Sequence, residues 1–226
     1  MMKFLNKRVI IFDLDGTLID SSPDLALAIN HMLTTIGRTP FTLDEIHHWV
    51  GNGASTLVKR ALSGSATISS EIDEKEFENA LDIFLQFYAN HLAVETVVYP
   101  NVIQTLTQLK KHGYQLAIVT NKPFDFVAPI LEALKLKEYF EFYLGGDSLQ
   151  ERKPHPAPLL YVCEKFAVSP KECIMVGDSK NDILSAKASQ MQSIGLTYGY
   201  NYGEHIKIYN PDVYFSDFAN IGEALC

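Results

Sequence analysis

Asp13 and Asp15, two carboxylates one residue apart, close the apolar run Val9-Ile10-Ile11-Phe12 and are followed by Gly16. In an extended segment side chains repeat every second residue, so both acids point to one side, and the glycine lets the chain turn sharply after them. Asp-x-Asp-Gly also opens calcium loops, but those need further oxygen ligands at alternate positions and a closing Glu. Here Thr17-Leu18-Ile19 follows instead. Further on, a hydroxyl at Thr120, an amine at Lys153 and carboxylates at Asp178 and Asp182 end or follow other apolar runs. If those runs are adjacent parallel strands, all six groups converge on one sheet edge, where open α/β sheets bind ligands. Four carboxylates and one amine at one point would repel badly without a divalent cation. Hard oxygen ligands in such a set favour magnesium, which keeps several waters and commonly bridges to a phosphate.

The elements that must position these groups alternate along most of the chain. Val9 to Phe12 is too short for a helix and has no polar alternation, so it reads as a strand buried on both faces of a parallel sheet. Leu116 to Thr120, a short stretch near Phe142 to Gly145, Cys173 to Asp178, Ser193 to Leu196 and Val213 to Phe215 read as further strands. Helices are expected between them, marked by Val102, Leu106 and Leu109, by Phe126, Ile130 and Leu134, and over Ala157 to Phe166. Strands and helices alternating at this length imply right-handed crossovers and an α/β, Rossmann-like parallel sheet with helices on both faces.

Residues 21–93 break the alternation. Ser22-Pro23-Asp24 offers a cap, a proline at the first helical position and an acid in the first turn; Thr42 to Glu45 is a capping box; a third helix covers Ser55 to Leu62. Phe77, Leu81, Phe84, Tyr88 and Leu92 then keep helical spacing over a long fourth. The expected division is a catalytic core of residues 1–20 and 94–226, with a small all-helical cap of residues 21–93 inserted after the first strand. Two chain crossings side by side would serve as a hinge.

Composition excludes other classes. A formal charge of -8 with 47% apolar residues suits a globular protein and offers no basic footprint for nucleic acid. No apolar stretch approaches the roughly 20 residues needed to span a bilayer, so no membrane partner is expected. The segment Met1 to Arg8 has charge but no apolar core of a secretory signal, and Cys163, Cys173 and Cys226 lack metal-ligand spacing. Both point to a reduced, cytoplasmic setting. His47 and His48 are adjacent and face different sides of a helix, so they do not chelate together.

Asp13-Leu14-Asp15-Gly16-Thr17, Val119-Thr120-Asn121, Lys153-Pro154 and Gly177-Asp178-Ser179-Lys180-Asn181-Asp182 resemble, in order, the four motifs of the haloacid dehalogenase-like hydrolase superfamily. More narrowly, Val50-Gly51-Asn52-Gly53-Ala54, Thr120-Asn121-Lys122-Pro123, Gly145-Gly146-Asp147, Lys153-Pro154-His155-Pro156 and Gly195 to Glu204 resemble the bacterial phosphoglycolate phosphatases. The resemblance implies a magnesium-dependent phosphatase that turns 2-phosphoglycolate into glycolate and phosphate through an aspartyl phosphate. Alternatives are action on another small phosphate ester or pyrophosphate, or a β-phosphoglucomutase-like isomerase. Asp13 and Asp178 through side chains, and Asp15 through its backbone carbonyl, are the metal ligands so implied.

Residue types supply the roles. Asp13 is the nucleophile, Asp15 the acid and then base, and Thr120 and Lys153 hold the phosphoryl oxygens where charge spreads in the transition state. Asp182 is expected to orient a metal-bound water or Lys153. Over Asp13, Asp15, Asp178 and Asp182 the formal charge is -4; magnesium and Lys153 bring it to -1, and protonating Asp15 makes the site neutral. A small anionic ester with a second anion needs another partner. Thr120 and Asn121, the backbone N–H groups of Gly51-Asn52-Gly53, and the side chains of Lys59 and Arg60 are the candidates. The assembly is expected to be a monomer or homodimer.

Overall fold

A computed structural model describes residues 4–226, so Met1 to Lys3 of the segment Met1 to Arg8 lie outside the described residues. One sheet of six strands carries the molecule, in the order β5-β4-β1-β6-β7-β8, with every neighbouring pair parallel. Its strands are β1 (Val9–Phe12), β4 (Gln115–Val119), β5 (Phe142–Leu144), β6 (Cys173–Gly177), β7 (Gln192–Leu196) and β8 (Val213–Phe215). Every residue of β1 is fully buried, as expected of a strand covered on both faces.

Alternate residues feed two apolar layers. Ile10, Phe12, Leu116, Ile118, Ile174 and Val176 face helices α5 (Val102–Lys111), α6 (Phe124–Ala133) and α9 (Ala219–Leu225). Val9, Ile11, Ala117, Val119, Cys173 and Met175 face α7 (Ala157–Lys165) and α8 (Lys180–Ala188). Cys163 and Cys173 are free, buried thiols serving as small apolar residues in the second layer. Among the described residues no helix is long and apolar enough to cross a membrane.

Between the first two strands of the main sheet run α1 (Ser22–Thr35), α2 (Leu43–His47), α3 (Ala54–Ser63) and α4 (Glu74–Ala89). They share one apolar cluster with the first sheet face. Both chain crossings pass through a two-stranded antiparallel ladder, β2 (Ile19–Asp20) against β3 (Val97–Val98). Two residues are too few for periodicity to reveal, so neither strand was expected.

Other departures have local causes. Ser22 is the first residue of α1 rather than its cap, and Ser21 at the cap position makes no capping bond. Both hydroxyls serve carboxylates instead: Ser21 Oγ donates to Asp15 at 2.5 Å and Ser22 Oγ to Asp20 at 2.7 Å. The capping box at Thr42 forms with Glu45, but α2 ends at His47, short of Gly51. The long α4 stops at Ala89, leaving Leu92 beyond its end.

Candidate active site

Strand β1 delivers Asp13 to the carboxyl edge of the sheet, and β4 and β6 on either side deliver Thr120 and Asp178. Asp13 Oδ1 accepts the Leu14 N–H at 2.7 Å, and Oδ2 lies 3.0 Å from Lys153 Nζ. The same ammonium donates to Asp182 Oδ1 at 2.6 Å, while Asp182 Oδ2 accepts from the N–H and hydroxyl of Ser179 at 3.0 and 2.8 Å. Asp182 therefore both caps α8 and holds Lys153. Asp178 accepts the Thr17 hydroxyl at 2.6 Å and the Tyr200 N–H at 2.7 Å. Two glycines make room for it: a Cβ on Gly16 would sit 2.4 Å from Asp178 Oδ2, and one on Gly199 2.2 Å from the same oxygen. Gly16 also has φ of +81°, a conformation L side chains resist.

Asp13, Asp178 and Asp182 each bring a carboxylate oxygen within 4.8 Å of the others, all buried. Burial raises Asp13 well above the ordinary carboxylate range; Lys153 opposes this and the charges of Asp182 and Asp178 add to it. Burial, then Asp182, pushes Asp178 up to about 7, against the Thr17 and Tyr200 hydrogen bonds. Desolvation disfavours the Lys153 ammonium, but Asp13 and Asp182 outweigh it and raise its pKa. Three carboxylates and one ammonium leave a charge of -2. A divalent cation with oxygen preference fits that deficit. Asp13 and Asp178 are the side chains suited to hold it: each meets two donors, one per oxygen, whereas Asp182 meets three and is fully buried.

The charge count differs from the sequence reading because Asp15 has its own cation. Lys122 Nζ donates to Asp15 Oδ1 and Oδ2 at 3.0 and 3.3 Å and to Tyr88 Oη at 2.7 Å. Lys122 thus sets beside Asp15 an ammonium that the count from the sequence left out. Desolvation opposes the Lys122 ammonium, yet Asp15 and Tyr88 raise its pKa above the usual lysine value. Burial lifts the Tyr88 phenol to about 12. Neither Lys122 nor Tyr88 was singled out from the sequence: Tyr88 reads as one more apolar position of a helix. The available signal for Lys122 was its place two residues past Thr120, in a strand-end loop.

One cleft joins these groups. Asp13, Asp15, Thr120, Asn121 and Lys122 line its floor, and Val50, Gly51, Gly53, Leu57, Phe84 and Tyr88 its wall. Thr120 Oγ1 accepts the Lys122 N–H at 3.2 Å and keeps its own proton to donate. Asn121 Nδ2 donates to Gly51 O at 3.3 Å and Lys153 O at 3.0 Å, which fixes its orientation. Its buried Oδ1 is left an acceptor without a partner among the described residues.

The structure does not bring Lys59, Arg60 or Asn52 to this lining. Arg60 donates to Trp49 O at 2.6 Å and Ala66 O at 3.0 Å and lies 5.1 Å from the Tyr202 ring centroid, while Lys59 lies over the Phe77 ring. Lys59 is engaged within the helical layer, and Arg60 by carbonyls of that layer and the Tyr202 ring of the loop after β7.

A buried carboxylate cluster at the carboxyl edge of a parallel sheet, with an ammonium between its members, defines a site for phosphoryl or acyl chemistry on an anionic substrate. Residues 10–196 match the family of haloacid dehalogenase-like hydrolases, and the chain belongs to that family. It is 53% identical over 217 residues to the phosphoglycolate phosphatase of Colwellia psychrerythraea, covering 96% of both chains. The phosphoglycolate phosphatase of Psychrobacter arcticus is 47% identical over 222 residues, covering 98% of this chain and 96% of its own. Among solved structures, a predicted phosphoglycolate phosphatase from Haemophilus somnus superposes with a TM-score of 0.90 at 43% identity, covering 96% of this chain and 97% of the other.

Proposed function

We propose that the chain is a magnesium-dependent phosphatase that hydrolyses 2-phosphoglycolate to glycolate and phosphate. The observation that carries this reading is that Asp13 and Asp15 open on one cleft, each paired with its own buried lysine. The near full-length relatives named for this activity support the substrate. Asp13 attacks phosphorus as the ester P–O bond breaks, giving an aspartyl phosphate, and Asp15 gives its proton to the departing alkoxide; Asp15, now a carboxylate, takes a proton from the water that attacks phosphorus as the bond to Asp13 breaks and phosphate leaves. Thr120 and Lys153 hold the equatorial oxygens. Asp13 and Asp178 through their side chains and Asp15 through its backbone carbonyl would hold magnesium, which would neutralise phosphoryl charge when bound. In this reading residues 21–93 are a cap that closes the cleft over a core of residues 1–20 and 94–226.

Phosphate release with and without magnesium, across 2-phosphoglycolate, pyrophosphate, a nucleotide monophosphate and β-glucose 1-phosphate, tests it. The expected result is a kcat/KM on 2-phosphoglycolate well above the others, abolished by chelation. Magnesium-dependent activity that is flat across the panel, or highest elsewhere, would overturn the substrate and leave the chemistry.

A further inference from the structure

Among the described residues lining the cleft, Lys122 is the one with a positively charged side chain. The residue is only 5% exposed, so its ammonium is not a solvated surface charge. Tyr88 Oη and Asp15 accept from it, and it sits 4.9 Å from the centroid of the Tyr88 ring. An ammonium has three N–H donors. Tyr88 takes one and the two Asp15 oxygens share another, so one remains for a further acceptor.

Position decides what that acceptor is. A proton donor must come within hydrogen-bond reach of the leaving oxygen, so in the phosphatase reading Asp15 stands beside the ester oxygen. Lys122, in contact with Asp15, then stands beside whatever that oxygen carries. In 2-phosphoglycolate this is a single carbon bearing a carboxylate. The opposite wall presents Val50, Leu57 and Phe84, whose side chains offer an anion nothing, and Lys59 and Arg60 are engaged elsewhere.

We propose that Lys122, steadied by Tyr88, anchors the carboxylate of the leaving group and is the specificity-determining residue for phosphate esters with a carboxylate one carbon from the ester oxygen. This rests on the phosphatase reading above. The test compares kcat/KM of the magnesium-loaded enzyme on 2-phosphoglycolate and on ethyl phosphate, which lacks the carboxylate, for the parent, Lys122→Met, Lys122→Arg and Tyr88→Phe. Lys122→Met is expected to lower the ratio of the two values about 30-fold or more, the scale for losing one partner of a buried charge pair, with the excess loss in KM. Lys122→Arg keeps the ratio within a few-fold of the parent. Should Lys122→Met fail to fold, Tyr88→Phe carries the test by lowering the ratio several-fold.

Equal losses on both esters in Lys122→Met would overturn the anchor, leaving Lys122 as a support for Asp15; so would an unchanged ratio in Tyr88→Phe. A parent that prefers a different carboxylated phosphate ester, with that preference lost in Lys122→Met, would overturn 2-phosphoglycolate as substrate and uphold the anchor. A parent indifferent to the carboxylate overturns both.

Discussion

The floor and the wall of the cleft are built on opposite principles. On the floor, strand ends hold Asp13 and Thr120, and Lys153 ties Asp13 to Asp182 of α8 in a buried, charge-compensated contact. The wall is apolar side chains and glycine backbone from the helical layer, with the Tyr88 hydroxyl as its polar point against the floor. Fixed charges on a rigid sheet can stabilise developing charge without reorganising, whereas an apolar wall can only shape the space and exclude water. In the proposed function, chemistry therefore belongs to the floor and selection to the few places where the wall meets it.

The comparison breaks first at Asp13. Asp13→Asn should lower turnover by at least the ~10²–10³ that loss of one stabilising group costs, measured as phosphate release by protein purified free of host phosphatases. Retained turnover would remove the floor from the chemistry. Next comes the seam between the regions. Asp24, fully buried in α1, accepts the backbone N–H groups of Val94, Glu95 and Thr96 and the Thr96 hydroxyl. Asp24→Ala strands those donors and should cost about 1.5–3 kcal/mol, the scale of a hydrogen bond to a charged group, in urea unfolding. An unchanged midpoint would mean that the return crossing is held by other contacts.

A smaller effect sharpens the electrostatics of the floor. In the metal-free chain Asp178 titrates at about 7 against an ordinary 3.8, so between these values the folded state holds a proton that the unfolded state has lost. Asp178 therefore makes stability fall as pH rises through that window. Magnesium needs the carboxylates, so its apparent affinity should climb with pH as Asp178 and Asp13 give up their protons. Thermal melting with and without magnesium at pH 5.5, 7 and 8.5 reads both trends; a magnesium shift independent of pH would contradict the raised Asp178. Smallest of all, Lys59→Ala and Arg60→Ala should each change the ratio of kcat/KM on 2-phosphoglycolate and ethyl phosphate less than about threefold, because their charges are engaged away from the cleft lining. A larger change in either would make the wall a source of charge selection.

Much of the floor was legible in the residue order. An apolar run ending in Asp13-Leu14-Asp15-Gly16 specifies a buried strand, its acids and its turn through side-chain alternation and glycine's freedom alone. The same holds for Thr120 and Asp178 at the ends of β4 and β6 and for the helices of residues 21–93, whose apolar spacing is local. Pairing across distance was not. Lys122 and Tyr88 are 34 positions apart, and Asp24 and Thr96 are 72. The serines before α1 carry a local capping signal, yet Ser21 serves Asp15. Periodicity reports which face of an element is buried, because burial depends on the element's own pattern. Which ammonium meets which carboxylate depends on where two packed elements place their side chains. Only the tertiary structure decided that Asp15 would meet Lys122 while Lys59 and Arg60 turned away.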